Sequence, residues 1–582
     1  MSIQSKNLRV EYLLYAAVFL LALAARLGYL GSLPLTDAEA SLALLAHEAA
    51  QGAAPILAPH PAYISLTSAL MFLFSSSTWT ARFIPALAGS LLVLLPLLFR
   101  VHLGRIPALL LAFFLAFDPL LFGISRQVGS LPLALLFTIL AVGLWLHGRS
   151  IPAGISAGLA LLGGPSIWPG FAALLAAIWV SAGSLKPAVD HFGPDSTSLS
   201  QRIDWRKAGL AALAAVILVG TLFFTLPNGL SAVAGSFTSR LGGWTQPSGF
   251  SAALVLFSLV LYAFFPLIFG MWGALAGLLR KDPLDRFLLV WWGAALLTVL
   301  IYPARVTADL AWSMIPLWAL AARQLARLLV LPRYDRAPVI GLALFSAVIL
   351  AFVSLTLVGL FNNTGLAARE AVLRLVGAGL MLAASTLLVG WGWTREIAWR
   401  GFVYGLGIVL LLYMVSSGWH TAGLSGQAGR EMLAMDSPPN TTDLLVDTIE
   451  DLNRWGPRES NGLDIVVLEA YQPSLRWLLR DYRRVSYVDS LPEDASPALV
   501  ITPLRPELEL SAAYRGQSFL YSETIDWNTL RGADWMRWLV FRTVGSQQRV
   551  QNRLILWARL DLFPGGLLEQ QPVLPVIDEQ AP

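Results

Sequence analysis

The stretch WTARFIPALAGSLLVLLPLLFR (Trp79–Arg100) decides how this chain has to be read. It carries one charge, Arg82, near its start, and then runs apolar to Phe99 before closing on Arg100. About 20 apolar residues in a helix rising 1.5 Å each cross a hydrocarbon layer roughly 30 Å thick. Arg82 is shallow enough in the run for its long side chain to reach the interface.

Working outward, runs of the same kind recur along the first 420 residues. We read hydrophobic helices near 11–30, 79–99, 106–122, 130–147, 151–164, 170–182, 208–226, 251–279, 287–302, 310–330, 338–361, 370–391 and 401–419, about thirteen spans. The chain of 582 residues is 56% hydrophobic and only 13% charged, with a mean hydropathy of +0.65. A soluble protein would be charged at about a quarter of its positions. The expected fold class is a polytopic α-helical membrane protein. The absence of Cys excludes disulfides and thiolate metal sites. A net charge of +4, with arginines spread between spans, forms no single basic face, so a nucleic-acid partner is not expected.

The arginines instead set an orientation. With Lys6 and Arg9 inside, the inner loops hold Arg100 and Arg105, Arg149, Lys186 to Lys207, Arg280 to Arg286, Arg327 to Arg336, and Arg395 and Arg400. The outer segments hold mainly isolated cations, Arg126, Arg240, Arg305 and Arg369. The positive-inside rule then gives a cytoplasmic N-terminus in the cell membrane. It places the first loop, 31–78, and everything beyond residue 420 outside. Pro61–Phe74 is too short to span and reads as an interfacial helix, as does the amphipathic segment after Asp37.

Residues 1–420 thus form the membrane domain, and 421–582 a second, extracytoplasmic domain. In that tail Thr441-Thr442-Asp443 caps a helix Leu444–Trp455. Asp464–Leu468 and Ala498–Thr502 read as buried strands, Ser474–Tyr482 as a helix between them, and Leu554–Leu562 as a last strand. This alternation predicts a small α/β domain with a partly parallel sheet. It contains no glycine-rich nucleotide loop.

Polar residues at membrane depth are costly and are candidates for function. On the outer side these are Asp37 and Glu39, His60, Arg82, Asp118 with Arg126, Arg240 and Trp244 in the loop 227–250, and Tyr302, Arg305 and Asp309. Carboxylates and arginines on one face are what deprotonating an acceptor and holding an anionic leaving group require. Each also has a plainer reading, as a helix cap, a first-turn acid or a snorkelling arginine.

The order of these features is more specific than any one of them. PLTDAEA (Pro34–Ala40), HPAYISLTSALMFLF (His60–Phe74), Trp79–Arg100, LGR (Leu103–Arg105) and FDPLLFGISR (Phe117–Arg126) follow one another. Together they resemble the membrane glycosyltransferases of the GT-C class, such as the bacterial branch of protein O-mannosyltransferases and aminoarabinose transferases. PSLRWLLRDY (Pro473–Tyr482) is similar to part of the exported tail of that branch. In this chain Ala38 separates the two acids, His60-Pro61 is followed by Ala62, and Ser125-Arg126 by Gln127.

The resemblance implies a GT-C-like fold and an inverting glycosyltransferase. It would move one sugar from a polyprenyl-phosphate donor to an acceptor protein, lipid or glycan at the outer face. It implies Asp37 as base with Glu39 beside it, and Arg305, Arg126 and Arg240 around the donor phosphate. His60, Tyr302, Trp244 and Asp118 would touch substrate. No cofactor is required, and a divalent cation, Mg or Mn, is the one addition the acidic pair admits. A transporter of lipid-linked sugars and a catalytically silent assembly protein remain alternatives at this point.

Overall fold

The computed structural model describes residues 2–57, 59–190, 204–227, 229–248, 250–329, 336–362, 365–425, 431–432, 442–455, 463–492, 494–505, 510, 512–527 and 529–563. The decisive stretch begins at Ser77. Its hydroxyl accepts from the Thr80 amide while the Thr80 hydroxyl accepts from the Ser77 amide, a reciprocal cap on the helix Thr78–Leu92. Near Pro96 the coil tightens to a 3₁₀ turn, Leu95–Phe99, before Arg100–Leu103. Thr78–Leu103 is therefore one apolar element of 26 residues.

Six helices among the described residues are long and apolar enough to cross a membrane: Arg9–Leu27, Thr78–Leu103, Pro283–Ile301, Arg336–Phe361, Leu366–Gly392 and Arg395–Thr421. Two bent pairs, Arg105–Phe117 with Pro119–Ser125 (55°) and Ala252–Tyr262 with Phe264–Arg280 (89°), raise the number to eight. This is fewer than the thirteen spans expected from hydropathy. The runs expected at 130–147 and 151–164 are the shorter apolar helices Leu131–Leu146 and Ser150–Leu161, and the run at 170–182 opens the 24-residue helix Ile167–Asp190. Composition does not separate the short helices from the six, since Ser150–Leu161 also leaves Ile151, Ile155 and Leu161 exposed; length does.

The bends have local causes. Pro119 has no N–H and disfavours helix at Asp118, so the coil stops there and restarts. Pro266 likewise removes the donor that the Tyr262 carbonyl would need. Elsewhere helices approach closely because side chains are missing. A Cβ at Gly154 would lie 2.1 Å from the Ala208 carbonyl oxygen, and one at Gly158 2.4 Å from that of Ala212. This small-residue stripe lets Ser150–Leu161 pack against Trp205–Gly220.

The chain divides into two compact units. One comprises Met1–Leu33, Leu42–Met435 and Asp526–Gln548, and the other Pro34–Ser41, Asp436–Ile525 and Arg549–Pro582. Compared with a cut at residue 420, three segments change sides: the acidic turn at 34–41 groups with the tail, and 421–435 and 526–548 with the helices. The second unit is built on five strands, β1 (Ile465–Leu468), β2 (Val485–Val488), β3 (Leu499–Pro503), β4 (Tyr514–Ile525) and β5 (Arg549–Arg559). Their order is β2-β1-β3-β5-β4, with β1 parallel to β2 and β3, and β5 antiparallel to β3 and β4. One face is covered by Leu445, Ile449 and Leu452 of the helix Thr442–Trp455, which pack with Ile465, Val467, Leu499, Ile501 and Leu556. The buried strands β1 and β3 fall where their unbroken apolar runs place them. β2 and β4 carry too many polar residues to be seen that way.

Candidate active site

In the second unit the acidic turn is a helix start. Thr36 caps the helix Asp37–Ala50: its hydroxyl accepts from the Glu39 amide at 3.3 Å, and Glu39 Oε2 accepts from the Thr36 amide at 3.0 Å. Glu39 is 4% exposed and held in this box. Asp37, the first residue of the helix, is half-buried. Its Oδ1 accepts from the Ser474 amide at 3.0 Å and from the Ser474 hydroxyl, which in turn meets the Tyr521 hydroxyl. Ser474 and Tyr521 are buried, and burial raises the Tyr521 phenol above its ordinary pKa, keeping it neutral. Oδ2 of Asp37 has no hydrogen-bond partner among the described residues. One oxygen is thus fixed by the tail and the other is available to a proton.

In the membrane unit, five residues singled out in the sequence come together. The Arg240 guanidinium lies 3.4 Å from the Tyr302 ring centroid and donates to Asp309 Oδ2 at 3.0 Å. The Tyr302 hydroxyl donates to the Arg240 carbonyl at 2.9 Å, and Trp244 meets the Tyr302 ring edge-on at 5.7 Å. Gly243 makes this approach feasible, because a Cβ there would lie 1.8 Å from the Tyr302 hydroxyl oxygen. Arg305 donates through Nε to the Tyr302 carbonyl at 2.9 Å and through Nη1 to the Phe250 carbonyl at 3.2 Å.

The charges in this cluster are unequal. Burial raises the Asp309 carboxyl above its usual pKa and the Arg240 cation opposes that, so the pair is internally compensated. Arg305 has no carboxylate partner among the described residues. It leaves a partly exposed positive charge bonded to the Tyr302 backbone, while the exposed Trp244 packs on the Tyr302 ring; an anion and a flat apolar surface are what such groups suit.

Asp118 and Arg126 are placed differently. Asp118 is fully buried and caps the restarted helix Pro119–Ser125. Oδ1 accepts from the Leu121 amide at 2.7 Å and Oδ2 from the Trp318 indole at 2.7 Å. Arg126 donates to the carbonyls of Ala25, Arg26, Gly28, Tyr29 and Ala422 at 2.7–3.3 Å. It thereby satisfies carbonyls left over at the end of the first helix. Each nitrogen of the Arg126 guanidinium and each oxygen of the Asp118 carboxylate already has a partner in this arrangement.

Arg26, which sequence reading passed over as part of a span, works the same way. It is fully buried and donates to Ser125 Oγ at 2.9 Å and to the carbonyls of Leu115 and Ala116 at the break. Its signal was an arginine inside an apolar run, with a buried partner that only the fold reveals. His60 precedes Pro61 but makes no cap. Its Nδ1 lies 2.7 Å from Ser130 Oγ, and burial pushes the imidazole down to about 4, so it is neutral.

Two solved structures resemble this chain over most of its length. ArnT from Cupriavidus metallidurans bound to undecaprenyl phosphate superposes with a TM-score of 0.52 at 17% identity, covering 84% of this chain and 93% of that one. The apo state of the same protein gives 0.50, also at 17%, covering 84% and 92%. The chain shares its fold with ArnT. No family model matches the sequence, and no curated protein does. The ArnT-like fold therefore rests on shape, at an identity where side-chain roles do not transfer by position alone.

The donors at the acidic turn do not fit the divalent cation that the acidic pair was expected to admit. A hard cation takes about six or more oxygens, whereas Glu39 is committed to its cap and Asp37 Oδ1 to Ser474. Among the described residues no group of three or more His, Asp or Glu could hold a metal.

Proposed function

We propose that this protein is a membrane glycosyltransferase of the GT-C class. It transfers one sugar from a polyprenyl-phosphate carrier to a hydroxyl-bearing acceptor at the outer face, with the N-terminus cytoplasmic and the tail extracytoplasmic. The observation that carries the reading is the fold shared with a protein crystallised with undecaprenyl phosphate, over most of both chains. The ordered N-terminal motifs that resemble this class support it.

In this reading Asp37 is the base. The acceptor oxygen attacks the anomeric carbon, its proton passes to Asp37 Oδ2, and the bond from that carbon to the phosphate oxygen breaks, with inversion. The leaving group departs as polyprenyl phosphate, and within the membrane unit Arg305 is the proposed cation for such an anion, with Arg240 paired to Asp309. Ser474 and Tyr521 fix the rotamer of Asp37, so the free oxygen keeps one direction. Trp244 offers its exposed ring to the sugar, and the buried Tyr302 ring packs against it. Glu39, Asp118, Arg126 and His60 act by positioning the backbone that carries these groups.

Base catalysis by one residue contributes about 10²–10⁴-fold in rate. Asp37→Asn, purified in detergent and assayed with a polyprenyl-phosphate sugar, is expected to lose transfer by that factor while melting as the parent does. Unchanged transfer in that variant would remove the base assignment.

A further inference from the structure

The helix Gly229–Gly242 runs into a loop, 243–250, and the helix Pro283–Ile301 into another, 302–306. The first loop carries Trp244 and the second Tyr302 and Arg305. Neither has regular structure to hold such side chains in place, so their backbone groups need partners from elsewhere.

The two loops supply these partners to each other. The Ala304 amide donates to the Gly243 carbonyl at 3.2 Å, and the Ser248 amide to the Pro303 carbonyl at 3.1 Å. Side chains extend the seam in both directions. At one end the Tyr302 hydroxyl donates to the Arg240 carbonyl at 2.9 Å. At the other, the Ser248 hydroxyl donates to the Arg305 carbonyl at 2.7 Å. Ser248 is thus bonded to the second loop through its amide and its hydroxyl alike, and the hydroxyl fixes the peptide that leaves Arg305.

The same stretch also reaches the charged end of that side chain. Two residues beyond Ser248, the Phe250 carbonyl accepts from Arg305 Nη1 at 3.2 Å, while Nε donates to the Tyr302 carbonyl at 2.9 Å. Nη2 has no partner among the described residues, so this arm of the fork is left for an anion. An arginine anchored beforehand loses little rotamer freedom when an anion arrives, whereas an unanchored one loses much.

We infer that Ser248 is a positioning residue for the donor phosphate. Its hydroxyl holds the Arg305 backbone so that Nη2 keeps one direction, and it acts on the donor only through Arg305. The inference rests on the phosphate role proposed for Arg305 and adds the residue that aims it.

The test is a double-mutant cycle on the full-length protein in detergent. Calorimetry reads the binding of farnesyl phosphate, a short polyprenyl phosphate. Ser248→Ala deletes one neutral hydrogen bond and should weaken binding roughly 2- to 10-fold. Ser248→Thr keeps a hydroxyl and should restore binding towards the parent. In an Arg305→Ala background the Ser248→Ala change should have no effect, because no cation is left to aim. A role in loop packing alone would carry over into that background undiminished. Should Ser248→Ala also melt earlier than the parent, the cycle still separates the two roles. Parental affinity in Ser248→Ala, or an equal loss in both backgrounds, would overturn the proposal. Binding left unchanged by Arg305→Ala would overturn the phosphate role itself, and this inference with it.

Discussion

Arg126 and Arg305 look alike in the sequence, each an isolated arginine on the expected outer side just beyond an apolar run. The structure treats them in opposite ways. Arg126 is 7% exposed and gives its N–H groups to five backbone carbonyls around the end of the first helix. Arg305 is partly exposed and anchored by two carbonyls. Every nitrogen of the first is engaged, and removing it would leave several buried acceptors unmet. The second is positioned but retains charge for a partner. How far a buried cation's hydrogen bonds are committed therefore separates architecture from candidate chemistry, where residue type and depth do not.

That contrast can be broken experimentally. Arg126→Ala should have the largest effect, because each buried group left unsatisfied costs about 1–3 kcal/mol. The expected result is little folded protein, measured as monodisperse yield and melting temperature in detergent. If Arg126→Ala melted like the parent, saturation would not mark architecture. Arg305→Ala should melt within about 1 kcal/mol of the parent, as a partly exposed site does. Its effect belongs in donor binding, where losing one charge-assisted contact of ~1.5–3 kcal/mol weakens affinity by roughly 10- to 150-fold. Donor affinity unchanged in that variant would remove the phosphate role.

At neutral pH the smallest effect is that of His60. Its imidazole is held at about 4 in the fold against 6.5 in the open chain. Below about 6.5 the unfolded state therefore binds more protons, so stability falls as the pH drops from there towards 4 and is flat above. Melting followed over that range should show this slope in the parent and a weaker one in His60→Gln. An identical slope in both would place the acid sensitivity elsewhere.

The legible part of the sequence follows from locality. Apolar runs, the Asp118-Pro119 break and the unbroken strands β1 and β3 each lie within a short window, where side-chain period and proline geometry act. The span count was not legible in that way, since Leu131–Leu146 and Ser150–Leu161 are as apolar as a span without its length. Strand β4 was hidden because its mixed, largely polar face gives no buried run.

Site residues divide on the same principle. The sequence by itself marked the acidic turn, the paired elements 240–244 and 302–309, and the arginines in apolar surroundings. It could not tell which of them were already satisfied. Asp118 is closed by Trp318, 200 residues away, Arg126 by Ala422, 296 away, and Asp37 is half-closed by Ser474, 437 away. Hydrophobicity adds up along the chain, so the sequence determined a helical membrane protein with an α/β tail. Hydrogen-bond saturation depends on which distant groups meet, so the tertiary structure decided which polar residues hold the fold and which remain free to act.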